Sequence, residues 1–495
     1  MDILLGFIGF IPFLILFLGL TLTKIPSYIV TFASLLLTAL FAIFLWNNPL
    51  TLLFNSTIEG LLIAILPIIW VIFAAVFTYF LSLETGAMEI IKKFLVNISS
   101  DINIQAVIIA FCFGGFLESV AGFGTAVAIP TAMLIALGFN PVKACVISLV
   151  ANSVPVAFGA LGIPVIILSQ ITALDLTILT KYVALQLLPF SLLIPIAIVV
   201  INNNGFKNIK TSIIDAILIG AIFTLTQTLV AFFIGPELIA VLGSLVSLLT
   251  FIIIKNITNK NKEKNDYKTI LWAIINYLIL LLLVIITRIF NLEFLKQFPF
   301  TILINIGEHK VKYDWLTTPG TLLFLSAIIG GIIQKLDFKK IGELMLKSID
   351  KIKFSAITIL NIVILAKIMG YSGITNSLAF NFAFFSGKFY PFISPVLGAL
   401  GTFVTGSDTS SNILFGSLQK ETAIKIAANP EWLASANTAG ATAGKMISPQ
   451  SISVAASTVG LQNEENKIIT TTIFYCLGYV IILGIYVFVV SLFLK

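Results

Sequence analysis

Two asparagines, Asn152 and Asn437, hold the same place in two copies of one pattern, Ala151 to Pro164 and Ala436 to Pro449, which align without a gap. Each is followed by a hydroxyl, Ser153 in the first copy and Thr438 in the second. Amides and hydroxyls inside apolar segments either tie helices together or bind a polar ligand, and duplicated placement favours the ligand. Where the first copy has Ala160 the second has Lys445, an ammonium deep in an apolar crossing. Such a charge costs roughly 3 kcal/mol or more and usually marks a function. The plainer alternatives are a lysine reaching back to the interface, or a structural pair with Asp408.

Each pattern follows a glycine-broken apolar segment, Gly114 to Thr125 in the first half and Gly398 to Thr409 in the second. Helices restarting at Thr125 and Thr409 would turn free N–H groups and positive dipole ends toward an anion at mid-membrane. Gly122, Gly124 and Gly406 would let the backbone come close to it, although glycine also serves plain helix packing. Ser407, Ser410, Ser411 and Asn412 add neutral donors around the second tip. Glu118, one turn before the first tip, and Asp408, at the second, are acids suited to carrying a proton. Asp408 has a structural alternative as the N-cap of a helix beginning at Thr409.

The elements that must position these groups lie in a membrane. With 59% hydrophobic residues, 10% charged residues and a mean hydropathy of +1.09, no soluble surface can be arranged. The net charge of +7 resides in lysines gathered in short loops, which sets orientation and argues against nucleic-acid binding. Cys112, Cys145 and Cys476 have no CxxC spacing, so neither a disulfide framework nor a metal site is expected. No cofactor is implied. The absence of HExxH and GxSxG patterns argues against an enzyme. The apolar N-terminal run lacks a basic leader and a small-residue cleavage site, and reads as a first span.

Span length and lysine bias together predict an all-α polytopic protein of about twelve transmembrane helices plus two re-entrant hairpins, Gln105 to Phe139 and Pro395 to Leu418. Lys24 would be cytoplasmic and both termini outside. Glu84 to Lys93 reads as an amphipathic interfacial stretch, and Arg288 to Thr318, with the single histidine His309, as an outer segment. On this reading the halves run in opposite directions, an inverted-topology repeat of the kind found in alternating-access carriers. The expected division is scaffold spans at 1–83, a first transport module at 84–170, further scaffold at 171–370, a second transport module at 371–456 and a last span at 457–495.

Four stretches carry a resemblance: Gly115 to Thr125, Asn140 to Pro164, Thr405 to Gly416, and Ala436 running to Ser451. In these the chain resembles the L-lactate permease family. The resemblance implies proton-coupled uptake of a small 2-hydroxymonocarboxylate such as lactate or glycolate, and kinship with hairpin-containing elevator-type carriers. The implied setting is the cell membrane of a prokaryote, with the anion, protons and the lipid bilayer as partners and room for a homodimer. Lys445 would then neutralise the substrate carboxylate, while the amides and hydroxyls take its remaining polar groups. A sodium-coupled carrier for another small carboxylate is the alternative, with an anion channel behind it.

Overall fold

The structure is a computed structural model that describes residues 3–494 apart from 24, 97, 121, 123, 204, 206–209, 259–266, 290–292, 308, 459–460 and 462–464. Lys24, which anchors the expected orientation, and most of the two basic loops at 202–210 and 255–264 therefore lie outside the described residues.

The first part of the chain comprises α1 (Ile3–Gly9), α2 (Ile11–Leu22), α3 (Ser27–Phe44), α4 (Leu50–Ile63), α5 (Trp70–Glu84) and α6 (Ala87–Val96). Then come α7 (Ile102–Ala106), α8 (Gly114–Val120), α9 (Thr125–Ala136), α10 (Pro141–Ala151) and α11 (Gly159–Thr172). The middle holds α12 (Leu176–Asn203), α13 (Lys210–Phe233), α14 (Ile239–Thr258), α15 (Tyr267–Ala273) and α16 (Ile275–Ile289), then strands β1 (Ile302–Ile306) and β2 (His309–Tyr313), then α17 (Pro319–Ile333). The last part comprises α18 (Phe338–Ser372), α19 (Ile374–Ser386), α20 (Tyr390–Thr405), α21 (Asp408–Lys425), α22 (Pro430–Lys445), α23 (Pro449–Thr458) and α24 (Glu465–Ser491).

Among the described residues, 10 stretches are long and apolar enough to cross a membrane, with shorter apolar helices at Thr125–Ala136, Pro141–Ala151, Ile275–Thr287 and Pro319–Ile333. Phe7, Phe44, Phe54, Phe233 and Phe474 stand exposed on the outside, as a lipid-facing surface requires. The protein is thus a polytopic, almost wholly helical membrane protein.

Three features depart from the sequence expectation. Apolar run length predicts a span over Ile58 to Leu81, but this is part of a continuous 35-residue stretch, Leu50–Glu84, joined through a π turn at Ala64–Ile69. Hydropathy predicts a crossing over Ser355 to Met369 preceded by a cytoplasmic lysine run from Lys335 to Lys353, but from Phe338 onward that run is the start of the same helix, α18, 35 residues long. At 1.5 Å per residue such a helix measures about 50 Å, well beyond the roughly 30 Å hydrocarbon core, so part of it projects into water. There Lys340 pairs with Glu84 at 3.1 Å and Lys347 lies 4.6 Å from the ring centre of Phe80, tying α18 to the end of α5. The segment read as an outer loop contains the antiparallel pair β1–β2, in which His309 faces Ile306.

Sequence explains the breaks that shape the centre. Asn140 and Asn429 cap α10 and α22, each followed by proline at the first helical position; the Asn429 carboxamide accepts from Trp432 N at 2.8 Å. α10 stops at Ala151, a 3-10 turn follows at Pro155–Phe158, and Ala160, Leu161 and Gly162 then take left-handed φ of 43°, 59° and 77°. In the second copy α22 ends at Lys445 and α23 restarts at Pro449. Lys445, Met446 and Ile447 align with that left-handed trio, so the two copies break at matching positions, each just before its proline. At the glycine-rich tips Gly122 and Gly406 are both left-handed, with φ of 52° and 71°.

α20, α21 and α22 pack as a unit. A side chain on Gly440 or Gly444 would run into the backbone of Pro395 or Ala399, so these glycines serve close helix packing. A second tie joins α4 to α18 inside the apolar interior: Glu59 Oε1 receives Lys367 Nζ at 2.8 Å, and Glu59 Oε2 accepts from Tyr371 Oη at 2.6 Å. Both charged residues are buried. Removing one partner strands the other charge, whereas replacing both removes the desolvation cost as well. Lys367→Met is therefore expected to lower stability by about 3 kcal/mol, read as a lower melting temperature in detergent, and adding Glu59→Gln should restore most of it. A Lys367→Met protein melting like the parent would contradict this account.

Candidate functional site

A cavity of about 580 Å³ opens where the broken helices meet. One wall comes from the tips and breaks: Glu118, Gly122, Gly124 and Thr125 around the first, Gly406 to Ser410 around the second, and Ala160, Lys445, Gln450 and Ser451. The other wall is α5 and α18, through Val76, Tyr79, Phe80, Ser355, Thr358 and Ile362.

The charged groups are few and buried. Glu118, Asp408 and Lys445 are 4%, 2% and 7% exposed, and their charges lie close enough to act on one another. Lys445 Nζ donates to the carbonyl of Gly406 at 2.7 Å, so the ammonium is held against the second tip. Neither Asp408 carboxylate oxygen has a hydrogen-bond partner among the described residues, and nor does Glu118 Oε2. Unpaired buried polar atoms are rare and costly, and those in a native site call for a proton, an ion or a ligand. The Glu118 carboxylate sits at the seam between the first tip and the unwound segment, since a Cβ on Gly159 would come within 2.9 Å of Glu118 Oε1. Ala160 and Leu161 are strained there, as non-glycine residues with positive φ generally are.

Ser407, not Asp408, caps α21: the helix starts at Asp408, and Ser407 Oγ accepts from Ser410 N at 3.3 Å. The capping role considered for Asp408 is thus taken one residue earlier, which leaves its carboxylate out of the cap.

Of the candidates read from sequence, Lys445, Glu118, Asp408, Gly122, Gly124, Thr125, Gly406, Ser407, Thr409 and Ser410 line the cavity. Asn152, Ser153, Asn437, Thr438, Ser411 and Asn412 do not. Asn152 lies behind Glu118, close to it but outside hydrogen-bond geometry, with both its amide atoms unpaired. Ser153 Oγ returns to Val150 O. Asn437, in contrast, is saturated: it accepts from Gln419 at 3.1 Å and donates to Asn412 Oδ1 at 2.9 Å and Ser411 O at 3.3 Å. Thr438 Oγ1 donates to the same Asn412 oxygen at 3.0 Å, Asn412 donates to Pro164 O at 3.1 Å, and Ser411 Oγ donates to Gly398 O at 2.8 Å. These four residues knit α20, α21, α22 and α11 together behind the cavity.

A third helix start stands at the cavity, where hydropathy and length alone predict a single inward crossing from Trp432 to Ala455. α23 begins at Pro449, directly after Ser448, whose hydroxyl has no hydrogen-bond partner among the described residues, and its first turns lie between the two tips. A Cβ on Gly124 would meet Val454 at 3.1 Å, and one on Gly406 would collide with Gln450. The legible signal was serine followed by proline, the pairing that opens many helices.

The amide network yields a direct test. Asn437→Ala strands buried partners on Gln419 and Asn412, so about 1–3 kcal/mol of stability should be lost, seen as a lower melting temperature. A melting temperature equal to the parent's would show that the network holds nothing together.

The sequence profile of the L-lactate permease family matches residues 6–494. The chain is 38% identical to an L-lactate permease of Streptococcus iniae, over 86% of this chain and 92% of that one. It is 33% identical to glycolate permease GlcA of Escherichia coli strain K12 and 32% identical to an L-lactate permease of Bacillus subtilis strain 168, each over 97% of this chain and 94% of the relative. Among solved structures, MtrF of Neisseria gonorrhoeae superposes with a TM-score of 0.48 at 13% identity, over 89% of this chain and 84% of that one. A family match over nearly the full length, with relatives more than 30% identical across most of both chains, shows that the chain belongs to the L-lactate permease family.

Proposed function

We propose that this transporter takes up lactate, glycolate or a close 2-hydroxymonocarboxylate together with protons. The observation that carries the proposal is the cluster of two buried carboxylates, Asp408 with both oxygens and Glu118 with Oε2 lacking a hydrogen-bond partner among the described residues, near a buried ammonium on one cavity wall. With both acids ionised, Glu118, Asp408 and Lys445 sum to one negative charge, and a substrate anion raises that to two. Groups buried to this degree do not hold two uncompensated negative charges. Entry of the anion therefore draws protons onto Glu118 or Asp408, and this charge balance is the coupling.

Lys445 supplies the positive charge that the substrate carboxylate needs, and the starts of α9 and α21 add the positive ends of their dipoles. In this structure the ammonium is engaged by the Gly406 carbonyl. A carboxylate that competes for it loosens the second tip from Lys445, so substrate occupancy and tip position are linked. The matching helix breaks and left-handed tip glycines support an inverted repeat, with twelve crossings and two re-entrant hairpins as the full count. On this reading the tip-bearing modules, 84–170 and 371–456, slide as an elevator past the wall formed by α5 and α18. Alternating access of this kind places the site at the repeat interface, in the cell membrane, with both termini outside.

Proteoliposomes given an inward proton gradient without sodium should accumulate labelled lactate above its equilibrium level. Lys445→Ala should weaken lactate binding by roughly 30-fold or more, the consequence of losing a buried charge partner worth about 2 kcal/mol. Glu118→Gln should keep lactate-for-lactate exchange while losing accumulation driven by the gradient. Accumulation that depends on sodium, or parental affinity in Lys445→Ala, would overturn the proposal.

A further inference from the structure

Resting on that reading, the geometry points to Ser451, on the first turn of α23, as the residue that recognises the substrate's 2-hydroxyl and so separates 2-hydroxy acids from plain carboxylates. Three observations meet at this residue. Ser451 lines the cavity and is 4% exposed, yet none of the hydrogen bonds among the described residues involves its hydroxyl. A hydroxyl that opens into the cavity and is left unused by the protein can exchange hydrogen bonds with a ligand hydroxyl.

The second observation is the position of its helix. α23, 10 residues long, starts at Pro449, which has no N–H, so the amides of Gln450 and Ser451 are the first donors at that end. This end lies between the tips, with Gln450 against Gly406 and Val454 against Gly124. A group held there is within one small molecule's length of Lys445, whose ammonium sits on the same Gly406.

The third is the division of chemistry along the wall. Charge sits at the two tips, in Glu118 at the first and in Asp408 and Lys445 at the second, while the first turn of α23 between them carries only neutral groups, the Gln450 carboxamide and the Ser451 hydroxyl. A 2-hydroxy acid has this same division, a carboxylate on one carbon and a hydroxyl on the next. Carboxylate toward Lys445 puts the hydroxyl toward Ser451, where it can donate to or accept from Oγ. A site built to bond a hydroxyl discriminates against the analogue that lacks one, because its own polar group is then left unpaired.

The test uses the full-length protein in proteoliposomes, with counterflow of labelled lactate inhibited by unlabelled lactate or by propionate, which differs only in lacking the 2-hydroxyl. Ser451→Ala is expected to raise the inhibition constant of lactate roughly threefold to tenfold and to leave that of propionate unchanged, so that the preference narrows. Ser451→Thr, which keeps the hydroxyl, should retain the preference. Ser451→Gly also removes the hydroxyl and replaces the alanine variant if the latter does not purify as a monodisperse protein. Equal weakening of both acids would assign Ser451 to the carboxylate or to the fold, and no change in either would remove it from the site; each result overturns the inference while leaving lactate transport intact. A parent protein with no lactate counterflow would fail the proposed function itself, and this inference with it.

Discussion

A lysine ammonium at membrane depth is tolerable only if its surroundings are arranged for it, and much of the centre of this molecule is such an arrangement. Lys445 ends α22 because the helix breaks there, and the break brings its Nζ to the carbonyl of Gly406, a residue free to take φ of 71°. The same left-handed turn ends α20 and lets Ser407 cap α21, which in turn leaves Asp408 unengaged beside the ammonium. Broken backbone in a membrane survives only where protein or a watery cavity meets its polar groups. The cavity and the ammonium therefore explain one another.

Around this centre, polar groups fall into two kinds. Those that are saturated hold helices together: the Asn437, Asn412 and Thr438 network behind the cavity, and the Glu59, Lys367 and Tyr371 cluster between α4 and α18. Among those with an unpaired buried atom, Asp408 and Glu118 line the cavity and Asn152 lies just behind Glu118. The rigid set fixes where the second set sits, and the second set is left with capacity for a proton and an anion.

Some of this was legible in the sequence. Gly122 and Gly406 stood out because glycine in an apolar run needs a reason, and Lys445 because its aligned partner is Ala160. Asn437 was read toward the ligand because its placement is duplicated, but an amide in a span serves helix or ligand equally well. What decides is the residue opposite, here Gln419 and Asn412, and that is tertiary information. The pairing of Glu59 with Lys367 was hidden for the same reason, since it joins helices far apart in sequence. The start of α23 was missed because Met446 and Ile447 look like uninterrupted span, although Ser448 and Pro449 mark a new helix. Likewise β1 and β2 lay in a stretch judged only by its charges, where Lys310, Val311, Lys312 and Tyr313 alternate with the period of a strand.

The central claim is that an anion cannot enter this cluster of charges without bringing a proton. It is tested most directly by measuring the protons taken up when the purified protein binds lactate, from titrations in buffers of different ionisation enthalpy at one pH. The account predicts a net uptake of protons with each lactate bound. Binding heat that does not depend on the buffer would mean that no proton enters with the anion, and the charge balance described here would be wrong.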